Sequence, residues 1–226
     1  MLPAEKIETM QVENDKKTAE IVGKLGVEKI KPLTDEEEKE LASGNITKEE
    51  AISIILGNKT IDEIKEENNT TSIDSDEGNK PKASQNTQGN TGSALSLDKT
   101  VTKEEKEIKE ANERISNLIG EIYVLKARFK SELKNVEAWV QTQYRGLTKE
   151  EKAPKQSPAE REIGQQMFSK VASLESECDS KIKAILSEMK TLLKKTGQDT
   201  SIVEQIRDAY ENEKQITKSS YINRYR

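Results

Sequence analysis

The stretch IKEANERISNLIGEIYVLKARFKSELKNV, residues 108–136, carries apolar side chains at Ile108, Ala111, Ile115, Leu118, Ile122, Leu125, Phe129, Leu133 and Val136. Eight steps cover 28 residues, a spacing of 3.5. That is the repeat of a supercoiled helical seam; a strand would alternate with a period of two. Thr102 and Glu105 stand as a capping box, in which hydroxyl and carboxylate each take up an orphan N–H of the first turn. Trp139, Val140 and Tyr144 carry the row on towards Gly146. The spacing predicts one helix over about residues 102–145, roughly 65 Å long at 1.5 Å per residue. A stripe of that length needs partner helices.

The partners follow in the sequence. Gly146, Pro154 and Pro158 turn the chain, with a further box at Thr148 and Glu151. Ser157 and Glu160 box a second start, with Pro158 at the tolerated first position. Its row is Ile163, Met167, Val171, Leu174, Cys178, Ile182, Ile185, Met189 and Leu192. The spacing of about 3.6 is that of a straight helix. Gly197 ends this second helix, expected over 158–196. Ser201 and Glu204 are read as the box of a third, over 200–222, presenting Ile202, Val203, Ile206, Ala209, Tyr210 and Ile216. Three amphipathic helices joined by short turns pack antiparallel, so residues 101–226 are expected to form an elongated, coiled-coil-like three-helix bundle. The third helix is about half as long as the others, which leaves part of the hairpin as two helices only or completed by another chain.

The first 65 residues are punctuated differently. Thr34, Thr47 and Thr60 lie 13 residues apart, each followed three residues later by Glu37, Glu50 or Glu63, while Gly44 and Gly57 keep the same interval. Each Thr-x-x-Glu is a capping box, and each glycine supplies the positive φ that ends a helix. Residues 1–65 thus read as a small module of short capped helices. Its middle copy, ITKEEAISIILGN (46–58), is apolar nearly all round, which marks a buried helix or a surface that a partner covers. Residues 66–100 are rich in Asn, Ser, Thr, Gly and Asp with few apolar side chains, the composition of a disordered linker. The whole is expected to be all-α.

Composition narrows the function. Of 226 residues, 32% are hydrophobic, 4% aromatic and 35% charged, which suits long amphipathic helices better than one large globular core. Residues 1–100 hold 13 basic and 21 acidic side chains, and residues 101–226 hold 24 and 21. A net +3 dispersed over the second part is no phosphate-binding face, so nucleic acid is not expected as a partner. The absence of histidine removes the usual proton carrier and the commonest metal ligand. Cys178 falls on an apolar row among Glu175, Glu177 and Asp179, surroundings that disfavour a thiolate. Paired carboxylates such as Glu104 with Glu105 sit in first turns, where they favour the helix dipole. No catalytic, cofactor-binding or metal-binding residue is therefore assigned, and neither an enzyme nor a small-molecule substrate is expected. No apolar run reaches the length of a membrane span, so the chain as given reads as soluble, either cytoplasmic or envelope-associated.

Candidate contacts with a protein partner or a second copy are Ile52, Ile55 and Leu56 in the middle repeat, Trp139 and Tyr144 near the hairpin turn, and Tyr221, Arg224, Tyr225 and Arg226 at the end. Trp139 and Tyr144 also suit a plug for the open end of the bundle. The terminal Tyr/Arg pairing also suits a frayed helix end, or contact with membrane headgroups.

VTKEEKEIKEANERISNLIGEIYVLKARF (101–129), followed by KVASLESECDSKIKAILSEMKTLLKKTGQDTSIVEQIRDAYENEKQITKSSYIN (170–223), resembles uncharacterised clostridial-type proteins of Gram-positive bacteria. In these, one membrane segment, absent here, precedes LT-x-EE and IT-x-EEA helices, a polar linker and a long helical module. The resemblance implies a cell-envelope setting with no known activity. The expected function is a non-enzymatic scaffold or adaptor acting through long amphipathic helices. The alternative is a peripheral envelope or membrane-surface protein.

Overall fold

The structure, a computed structural model, describes residues 3–27, 30–71, 103–152 and 157–224. Eight helices and no strand occur among them: α1 (Ala4–Lys24), α2 (Asp35–Ser43), α3 (Lys48–Ile55), α4 (Ile61–Thr71), α5 (Lys103–Gly146), α6 (Lys149–Lys152), α7 (Pro158–Lys195) and α8 (Ile202–Arg224). The fold is all-α, with the three long helices within two residues of their expected ends.

The capped-helix repeat closes as its spacing dictates. Thr34 and Thr47 each accept from the N–H three residues on, and Glu37 and Glu50 each reach back to the cap N–H at 2.7 and 2.6 Å. Thr60 and Glu63 repeat the exchange. The ends match too. Asn45 N–H donates to Glu40 O and Asn58 N–H to Ser53 O, both at 2.9 Å, around Gly44 at φ 77° and Gly57 at φ 69°. Further on, Ser157 with Glu160 forms the box that starts α7, and Thr148 with Glu151 the one that starts α6. The box at Ser201 and Glu204 does not form. Asp199, two residues upstream, accepts from the N–H and hydroxyl of Ser201 at 2.8 and 2.5 Å, and Glu204 pairs instead with Arg207. The nearer carboxylate takes the backbone N–H that Glu204 would have capped. Thr102 lies outside the described residues, as does the expected linker from residue 72; its first residues, 66–71, continue α4.

α5 and α7 form an antiparallel hairpin. Arg114 Nε donates to Glu188 Oε1 at 2.6 Å while its Nη2 donates to Oε2 at 2.9 Å, and further along Lys195 meets Glu107 at 3.2 Å. α8 runs back along α7, where Asp179 accepts from the Tyr210 hydroxyl at 2.7 Å and from Lys214 at 2.9 Å. A fourth helix joins this core. Ile21 and Val27, at the end of α1 and just beyond it, lie in one buried cluster with Ile115 and Leu118 of α5, Met189 and Leu193 of α7, and Val203 and Ile206 of α8.

The remaining short helices do not close a core alone. Leu41, Ile46, Ala51, Ile52, Ile54, Ile55 and Ile64 form a second cluster that α5 completes with Val124 and Ala127. α5 is therefore buried on two faces over its middle turns, the seam and an added face of small residues. On the added face, a Cβ at Gly120 would lie 2.8 Å from Ile52 Cγ2. Only a residue without a side chain lets α3 approach so closely. Ion pairs frame the contact: Lys48 with Glu121 at 2.6 Å, and Lys130 with Asp35 and Glu38 at 3.3 and 3.0 Å.

Two predictions follow from this packing. Alanine gains about 1 kcal/mol over glycine in a helix interior, whereas overpacking costs about 1–3 kcal/mol. The methyl that Gly120→Ala would strike belongs to a stiff, β-branched side chain, so the substitution is expected to lower urea stability. In an Ile52→Ala background the same change should raise it. The second prediction concerns Glu213 on α8. Burial pushes its carboxyl up, but attraction and a hydrogen bond from Lys126, with further bonds from Gln11 and Asn14, outweigh it and hold the group below the ordinary value of 4.5. A depressed folded value gives stability that is present above 4.5 and is lost as pH falls through the folded value. The stability advantage of the native chain over Glu213→Gln should therefore be full at neutral pH and shrink steadily in titrations below 4.5.

Candidate interaction surface

Three contact candidates from the middle repeat are interior. Ile52 and Ile55 are 9% and 0% exposed, and Leu56 is half-buried between the two apolar clusters. What covers them is α5 of the same chain. At the far end, Tyr221 is half-buried on α8. Arg224 is the last residue of that helix, its side chain outside the description, and Tyr225 and Arg226 lie outside the described residues.

The remaining two stand where the hairpin outruns its cover. Lys218 of α8 pairs with Glu175 of α7 at 3.1 Å. The two helices run antiparallel, so the six residues left in α8 carry it to about residue 169 of α7, at the same rise per residue on both. On the other side, Lys134 of α5 meets Glu38 in the first turn of α2 at 3.9 Å, and α5 then continues for roughly three more turns. Among the described residues, the tip is thus made of the end of α5, α6 and the start of α7.

Its exposed surface is largely polar, and two aromatic rings, Tyr144 and Phe168, stand out of it. Trp139 and Val140 are half-buried on α5, and Ile163 and Met167 of the α7 row are half-buried too, whereas Cys178, Ile182, Ile185 and Met189 of the same row are buried. Lys170 Nζ lies 4.9 Å from the Trp139 ring centroid and Lys152 Nζ 5.3 Å from that of Tyr144, contacts worth about 0.5–1 kcal/mol at exposed sites. Lys152 also donates to Arg145 O at 3.3 Å, closing the end of α5. Tyr144 and Phe168 remain 47% and 58% exposed. Phe168 escaped the sequence reading because it stands beside the α7 row, not on it. An unshielded aromatic one place off a helical stripe was the signal available.

Two other clusters hold structure together. At Cys178, burial first, then Glu177 and Asp179, push the thiol up against the opposing pull of Lys181 and Lys214, so it is a neutral core side chain at pH 7. Its neighbour Asp179 holds Tyr210 and Lys214, and burial together with that hydrogen bond drives the Tyr210 hydroxyl far above its ordinary value. Among the described residues no group of three or more His, Cys, Asp or Glu is placed to hold a metal.

Phe168→Ser removes an exposed ring, and surface changes usually stay within about ±0.5 kcal/mol. Chemical denaturation should place this variant within that band. Leu186→Ala, at a site 2% exposed, should fall by about 2–5 kcal/mol. Comparison of the chain with protein-family models, with curated proteins and with solved structures returned no match.

Proposed function

We propose that the protein is a non-enzymatic interaction protein, a scaffold or adaptor, whose working surface is the two-helix tip of the α5–α7 hairpin. The observation that supports this most directly is the coincidence of Tyr144 and Phe168, exposed, with Trp139, half-buried, on a projection that the other helices do not cover. Exposed aromatics on a rigid support are the anchors that protein interfaces favour. The fold supplies the rigidity: α5 is one helix of 44 residues, braced along its middle on two faces.

An envelope setting is retained as part of the proposal on the strength of the clostridial-type resemblance. Among the described residues no helix is long and apolar enough to cross a membrane.

The test pairs the native chain with a Tyr144→Ser/Phe168→Ser variant, in sedimentation over a range of concentrations and in pulldowns from a Gram-positive lysate. The expected result is a complex, with a copy of itself or another protein, that the native chain forms and the variant does not. Identical profiles for both, with both folded by circular dichroism, would remove the tip from consideration.

A further inference from the structure

α1 is held differently from the rest of the fold. Among its described side chains only Asn14 and Ile21 are fully buried. α2 and α3 are clamped to α5 by Ile52 against Gly120 and by the lysine pairs, whereas α1 reaches the body mainly along α8. Gln11 and Asn14 both donate to Glu213 Oε2 at 3.1 Å, and Lys24 donates to Gln205 at 3.2 Å. Glu213 is also paired with Lys126 of α5 at 2.8 Å. The centre of this helix interface is therefore polar, with Ile21, Val22 and Leu25 apolar at one end and Ile7 and Met10 half-buried towards the other.

That centre is imperfectly satisfied. Asn14 is 4% exposed, yet its Oδ1 has no hydrogen-bond partner in the protein. A desolvated carbonyl oxygen without a donor opposes closure, and release into water would recover its hydrogen bonds. The chain beyond the helix is fixed independently: Lys31 N–H donates to Ile55 O at 2.9 Å. α1 can leave while α2 and α3 keep their places. Its departure would uncover the face of α8 that holds Gln205 and Glu213, together with Lys126, the partner of Glu213.

We propose that α1 is a detachable strap, and that the groove beneath it on α8 and α5 is a docking site for the α1 helix of a second copy of this chain. The groove already states what it accepts. It takes an apolar stripe at one end of an amphipathic helix and, two to three turns away, carboxamide donors for the Glu213 carboxylate. Exchange of identical elements between copies adds no new chemistry, because each contact is one the closed chain already makes. The groove lies on a different part of the molecule from the hairpin tip, and its role stands independently of the tip's.

Hydrogen exchange on the full chain is the first test. The amides of 4–24 should exchange at least about 10-fold faster than those of 182–193, the mark of local opening below the global transition. The second test uses a fluorescein-labelled peptide of residues 3–27, with the full chain titrated to about 1 mM, the order of effective concentration at which a tethered helix competes. Anisotropy should rise to saturation and fall on adding unlabelled peptide. A peptide carrying Asn14→Asp sets a carboxylate against Glu213 and should bind at least about 10-fold more weakly. Core-like protection of 4–24, no saturable binding, or equal binding of the two peptides would each overturn the proposal.

Discussion

Ile52 can reach the backbone of α5 because residue 120 has no side chain. That close approach gives α5 its second buried face, and the arrangement of the short helices depends on it. One helix serves two layers: its 3.5-residue seam faces α7 and, with α1 and α8, the larger core, while Gly120, Val124 and Ala127 face α3. Small residues bring the helix axes together, and the isoleucines of the middle repeat fill the space between. A module of short helices with so few apolar residues would bury too little surface to stand alone. Docked on α5 it needs only one good face.

The long helices were legible because their signals are local. A capping box acts over four residues and an apolar row over one stripe, so both can be read without knowing the neighbours. The end of α5 and both ends of α7 follow from Gly146, Ser157 with Pro158, and Gly197. The small-residue face of α5 was not legible, because glycine and alanine on the back of a seam become meaningful only when Ile52 is known to lie opposite. α1 was hidden for the opposite reason. Its row passes through Asn14 and Thr18 where a seam would show apolar side chains, and the carboxylate that satisfies Asn14 is 199 residues away in sequence. Glu213 in turn looked like any exposed acid on a charged helix. At Ser201 the box pattern was present, and a closer competitor, Asp199, took the backbone N–H.

For the tip, the sequence named Trp139 and Tyr144 but could not choose between a plug and a contact. The structure places them on a projection longer than either the α8 or the α2 side reaches, with lysines over their rings. The projection arises from relative length. α8 has 23 residues and α7 has 38, so the start of α7 lies beyond the reach of α8.

The chain contains one tryptophan and one cysteine, and the fold sets them apart: the indole at the tip beneath Lys170, the thiol in the apolar core of the bundle. Intrinsic fluorescence therefore reports on the projection, and alkylation of the thiol reports on the bundle. The unmodified molecule carries its own pair of optical and chemical reporters, one at the tip and one midway along the bundle, and disagreement between them would reveal the tip loosening while the core stays shut.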